Sequence, residues 1–142
     1  MNFDYELNLE EVKDEIYDTM QDVAVICGDL VDDVSEIEMT NAERDNLFNL
    51  IKKIDNSVRY LYDTSSNEDI PMDRDAVIEE IFKTANYDFE ISCQLLDSIY
   101  SIKMPMKIRR ILYSKLDEIR YALCVLSKDA NQGTGEVTIV KD

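Results

Sequence analysis

The chain has 142 residues and a formal net charge of −16, with 45% hydrophobic and 32% charged residues. That is long enough for one domain whose core needs no disulfide or metal, and too apolar for a disordered chain. The absence of histidine removes His-based triads, His general bases and Glu-x-x-His metal sites, while the negative charge opposes direct contact with nucleic acid or an anionic membrane.

Only three Gly and two Pro predict long helices and an all-α fold. The opening residues 1–7 are acidic and aromatic, with neither a basic leader nor an apolar run, and no stretch approaches the ~18 apolar residues of a membrane span. A soluble, cytoplasmic protein is the expectation.

The first helix is predicted over Asn8–Glu38. Its seam runs through Leu9, Val12, Ile16, Thr19, Val23, Ile26, Leu30, Val34 and Ile37, the three-and-four spacing of a helix with one buried stripe. Asn8 with Glu11 forms a capping box, and Leu7 can staple onto Val12. Its other faces are acidic: residues 1–38 hold 13 acids against one base, −12 of the chain's −16. Gly28 interrupts the helix interior, which predicts close approach by a neighbouring helix or, alternatively, a kink.

Thr40 and Glu43 open a second helix through Leu47, Ile51, Ile54, Val58 and Leu61, completing a first hairpin over residues 8–63. Residues 64–72, polar and containing Pro71, form the linker. A second hairpin follows over residues 73–128. Its first helix runs from about Asp73 to Ile102, and Pro105 opens the last helix, which continues through Ile108, Leu112, Leu116, Ile119, Leu123 and Leu126 to about Lys128. In the tail, residues 129–142, Gly133 and Gly135 predict a flexible joint. The β-favouring run Glu136–Val140 predicts either a frayed end or a strand added to a partner or second copy.

The two hairpins match at an offset of 65 residues. Over Val12–Asp63 there are 13 identities in 52 positions, among them Glu15/Glu80, Thr19/Thr84, Asp32/Asp97, Met39/Met104 and Arg44/Arg109. Amphipathic pattern alone explains matched apolar residues but not matched acids, turn Met and Arg. The expectation is therefore a duplicated hairpin, paired into an antiparallel four-helix bundle within a single domain.

Asp88 breaks the pattern, standing in the seam slot that Val23 fills in the first hairpin. Because a buried unpaired carboxylate is costly, the seam is expected to rotate there, burying Phe89 and releasing Asp88. The alternative is a polar pocket around Asp88, facing a base of the last helix. That helix carries a net +5 over Lys103–Lys128, so its bases are expected to offset part of the first helix's charge. Cys27, Cys93 and Cys124 are widely spaced on apolar-rich stretches, which predicts packed, reduced thiols.

No cofactor, metal or catalytic motif emerges. Glu11-x-x-Asp14 and Asp29-x-x-Asp32 loosely resemble the Glu-x-x-Glu and Glu-x-x-Asp pattern by which all-α nucleotide pyrophosphatases of the MazG type hold magnesium. Here both pairs lie on one helix. The leading expectation is a non-enzymatic binding or inhibitor module that engages a basic protein surface, such as a nuclease's nucleic-acid groove, by nucleic-acid mimicry like that of mobile-element anti-defence proteins. Its candidate contacts are Asp14, Asp18, Asp22, Asp29, Asp32, Asp33 and Glu36, with Tyr17, Tyr60, Tyr62 and Tyr113 as aromatic anchors. The alternatives are a structural or oligomerisation bundle that forms a homodimer, and a magnesium-dependent nucleotide hydrolase.

Overall fold

The computed structural model describes residues 7–139, with side chains over residues 7–130. It consists of α1 (Leu9–Glu36), α2 (Asn41–Ser65), α3 (Arg74–Ser101) and α4 (Met106–Ile139), with no strand among the described residues. Each helix packs on the next, and α4 closes back onto α1. Side-chain pairings give the directions. Ser57 meets Asp88 while the earlier Asn46 meets the later Ser98, so α2 and α3 are antiparallel. Asp33 pairs with Lys115 while the earlier Glu15 faces the later Asp129, so α1 and α4 are antiparallel too. The molecule is an all-α antiparallel four-helix bundle.

The helix ends have identifiable causes. Asn8 Oδ1 accepts from the Glu11 amide at 2.9 Å and Glu11 Oε1 accepts from the Asn8 amide at 2.9 Å; Thr40 and Glu43 repeat this reciprocal box at α2. Asp73 caps α3 through the Ala76 amide. Such caps are each worth about 1 kcal/mol. At the other ends, Ile37 and Ile102 turn to extended backbone, and their carbonyls accept from Arg44 Nη2 at 2.6 Å and Arg109 Nη2 at 2.7 Å. A guanidinium there supplies a charge-assisted bond and complements the helix dipole. Arg74 closes the opposite end of the bundle by donating to the carbonyls of Leu7 and Ala130.

The seams bury as two apolar clusters. A large one, including Val23, Leu30, Leu47, Ile54, Leu95, Leu112 and Ile119, fills the half nearer the α1–α2 and α3–α4 turns. A smaller one, with Val12, Ile16, Leu61, Val77, Ile81, Leu126 and Ala130, fills the other end. Where the two meet, the buried positions are polar: Thr19, Thr84 and Asp88.

Asp88 is the main departure from expectation. It is 0% exposed while Phe89 is 51% exposed, so the seam keeps its phase instead of rotating. Its partner is not a base of α4 but the Ser57 hydroxyl of α2, which donates to Asp88 Oδ1 at 2.5 Å. The second carboxylate oxygen has no partner, nor has buried Ser92 Oγ one turn further on. Burial raises the Asp88 carboxyl to about 7, against the partial relief given by Ser57. The apolar neighbours on the same stripe, Ile81, Ile91 and Leu95, hold the helix phase, which one carboxyl does not overturn once it is neutral and hydrogen-bonded.

Three smaller expectations also change. Gly28 is exposed, α1 runs through it without a break, and a Cβ added there meets nothing within 4 Å, so no neighbouring helix approaches. Of the cysteines only Cys27 is buried, with its thiol pushed up to about 12 by burial; Cys93 is half-buried and Cys124 exposed. Cys124 follows seam residue Leu123 by about 100° of helical rotation, enough to leave the stripe. Helix α4 continues past Lys128 through Gly133 and Gly135 to Ile139 in place of the expected joint, frayed tail or strand. Extending a helix adds a backbone bond per residue, whereas a lone strand has nothing to pair with. The lead-in over residues 1–6 and the end of the β-favouring run from Val140 lie outside the described residues.

Candidate interaction groove

The α1–α4 interface opens into a groove of about 820 Å³. Helical geometry explains who lines it. On α1, Glu15, Asp18 and Asp22 are spaced by three and four, one strip around from the buried seam. On α4, Asp117, Glu118, Tyr121, Ala122, Val125 and Asp129 recur at the same helical spacing. Among the described residues six carboxylates and no base line the groove, over a floor of Thr19, Ile26, Ala122 and Val125. Two further lining side chains, Val25 and Tyr121, are 63% and 71% exposed.

The carboxylates perturb one another. Partial burial, and then a side-chain hydrogen bond with Asp129 and the charges of Asp129 and Asp18, raise the Glu15 carboxyl to about 7. Near neutral pH, therefore, Glu15 holds a proton for much of the time and the groove's charge depends on pH.

Of the seven candidate contacts, the structure places Asp18 and Asp22 in the groove. Asp33 lies beyond it toward the turns, paired with Lys115 Nζ at 2.6 Å, a bond that holds the ammonium above its ordinary range with further help from Asp29. Asp14, Asp29, Asp32 and Glu36 are exposed outside the groove. Glu15, Asp117, Glu118, Asp129 and Tyr121 were not among the expected contacts. Tyr17 instead meets Tyr62 in a tilted ring contact, centroids 5.5 Å apart, and Tyr113 packs against the core.

The bases of α4 offset little of the groove's charge. Lys115 offsets Asp33, Arg109 is committed to the end of α3 and lies over Tyr100, and Arg120 lies 5.0 Å over Phe89 on the α3 side while its guanidinium also stands 3.8 Å from the groove carboxylate Asp117. Lys103, Lys107 and Arg110 sit on the turn-proximal part of the chain, whereas the groove takes the later turns of α4, where Lys128 is exposed but does not line it.

A second groove, about 450 Å³, opens between α2 and α3 at the positions 65 residues away. There Lys83 stands in place of Asp18, Lys53 of Glu118, Tyr87 of Asp22, Ser57 of Ala122 and Tyr60 of Val125, while Glu80 and Thr84 match Glu15 and Thr19. The same architectural site is thus wholly acidic on one side of the bundle and mixed, with two lysines, on the other.

Among the described residues no three Asp, Glu or Cys side chains converge closely enough to hold a metal ion, and no helix is long and apolar enough to cross a membrane. Comparison of the chain with protein-family models, with curated proteins and with solved structures found no match.

Proposed function

We propose that this protein is a non-enzymatic binding module whose acidic α1/α4 groove engages a basic surface of a partner protein, a nucleic-acid-binding groove being the surface that such a charge pattern imitates. What carries the proposal is the groove's composition: six carboxylates without a base, around an apolar floor with Tyr121 and Val25 exposed beside it. Carboxylates alone would serve solubility, but apolar side chains left open among them are the ordinary mark of an interface core with a charged rim. The long-range field of residues 1–38 would speed encounter with a cationic partner. The 65-residue correspondence supports a further reading, that the hairpins are copies of one another and that the acidic groove diverged from a common ancestor of both grooves.

The test is capture by the immobilised protein from cells that naturally make it, with elution by salt and competition by duplex DNA. The variant Asp18→Lys/Asp22→Lys/Asp117→Lys/Glu118→Lys should lose the captured partner while retaining its helical signal. A variant that captures the same partner as well as the wild type refutes the proposal.

A further inference from the structure

We propose that the occupant of the α1/α4 groove is a single basic amphipathic helix, laid along it as a fifth helix of the bundle. This rests on the acidic-groove reading above and commits it to one shape of ligand.

Three observations lead there. The groove is long: it spans Glu15 to Ile26 on α1 and Ser114 to Asp129 on α4, which at ~1.5 Å per residue is about 16 to 22 Å, or three to four helical turns. Its cross-section is apolar at the floor, with Asp18 and Asp22 on one wall and Asp117 and Glu118 on the other. A helix with one apolar stripe flanked on both sides by Lys or Arg matches that section, because the long basic side chains can rise from the stripe to either wall.

The walls are themselves helices, so they offer no open backbone edge. An extended segment would leave its own N–H and C=O groups without protein partners there, whereas a helix arrives with these groups already paired. Tyr121, 71% exposed at the rim, supplies an aromatic anchor.

The α2/α3 groove acts as an internal control. Lys83 and Lys53 occupy the places of Asp18 and Glu118, and Lys83 pairs with Glu79 and Glu80 on its own helix, so that groove offers a cationic helix no net negative charge. Docking is therefore one-sided, with one helix per bundle.

The experiment uses the full chain and three synthetic peptides of about 15 residues, the length of the groove. One places Leu and Ala at i, i+3, i+4 and i+7 with Lys on both flanks; the second scrambles that composition; the third replaces each Lys by Glu. Calorimetry should show the first binding one per chain, weakening at least tenfold from low to high salt as charge pairs are screened, with a gain of helical circular dichroism. The second and third should bind at least tenfold more weakly. Asp18→Lys/Glu118→Lys, both at exposed positions, should lose the first peptide at least tenfold with an unchanged melting curve. Equal binding of the scrambled peptide, or no binding of the amphipathic one at low salt, overturns the helix while leaving the acidic groove to be judged by protein capture. Equal binding to the double variant, or two peptides per chain, overturns the groove assignment as well.

Discussion

Replacing Asp88 by Asn removes an ionisation that the fold resists, and the size of the effect follows from the site. Asp88 is fully buried, has one hydrogen bond, from Ser57, and has its carboxyl raised from 3.8 to about 7. A group whose pKa is raised on folding leaves stability intact below its unfolded value and takes stability away as pH rises through the folded one. The window is therefore about pH 4 to pH 7. A shift of some three units at ~1.36 kcal/mol each amounts to about 4 kcal/mol at most, reached above the folded pKa. Asn keeps the acceptor for Ser57 and carries no charge. Urea unfolding of the wild type and Asp88→Asn should give stabilities that converge near about pH 4 and separate by several kcal/mol in favour of the variant near about pH 8. The other carboxylates of this acidic chain titrate in both proteins and cancel in the difference. Parallel pH profiles for the two proteins would refute the reasoning, because they would mean that Asp88 ionises freely in the folded bundle.

Gly28→Ala should stabilise the bundle by about 1 kcal/mol, the helix-propensity difference, because the added methyl meets nothing; a loss in chemical denaturation would contradict the open surface. Arg44→Ala and Arg109→Ala should each cost about 1.5–3 kcal/mol, since each leaves a helix-terminal carbonyl without its charged donor; thermal melts of the two single variants would show comparable losses. Protonation of Glu15 weakens the groove's field, so a cationic ligand should bind more tightly above about pH 7 than below it, and Glu15→Gln should flatten that dependence in calorimetric titrations.

The bundle was legible because helical period, caps and breaks coincide. Val12, Ile16, Val23, Leu30 and Val34 are buried as their spacing predicts, and Asn8 and Thr40 form the boxes that their partners three residues on announce. The groove was not legible from helix-by-helix charge totals. The last helix's net +5 conceals a division between its faces, with Asp117, Glu118 and Asp129 lining the groove while Lys115 pairs with Asp33 and Arg120 lies over Phe89. Totals average over faces, while a groove samples one face over a few turns. The recurrence of Asp117, Glu118, Tyr121, Ala122, Val125 and Asp129 at helical spacing was the usable signal, alongside Glu15, Asp18 and Asp22 on the first helix. Asp88 misled for a different reason. In the sequence it stands as a lone charge among apolar seam residues, whereas Ser57, 31 residues earlier, reaches it across the bundle. At the equivalent places in the other half of the bundle stand Val23 and Ala122, both apolar and in the same cluster, so the two polar residues stand together where neither has a polar counterpart.

The most direct test of the acidic groove is to map a bound basic partner, or the amphipathic lysine peptide, by backbone amide shifts over the whole chain. Shifts concentrated on Asp18, Asp22, Glu118, Tyr121 and Val125, with the matching amides of Lys83, Tyr87, Lys53, Asn56 and Tyr60 unmoved, are the predicted result. Equal shifts in both grooves, or shifts centred on Asp14, Asp32 and Glu36 with the groove silent, would contradict it.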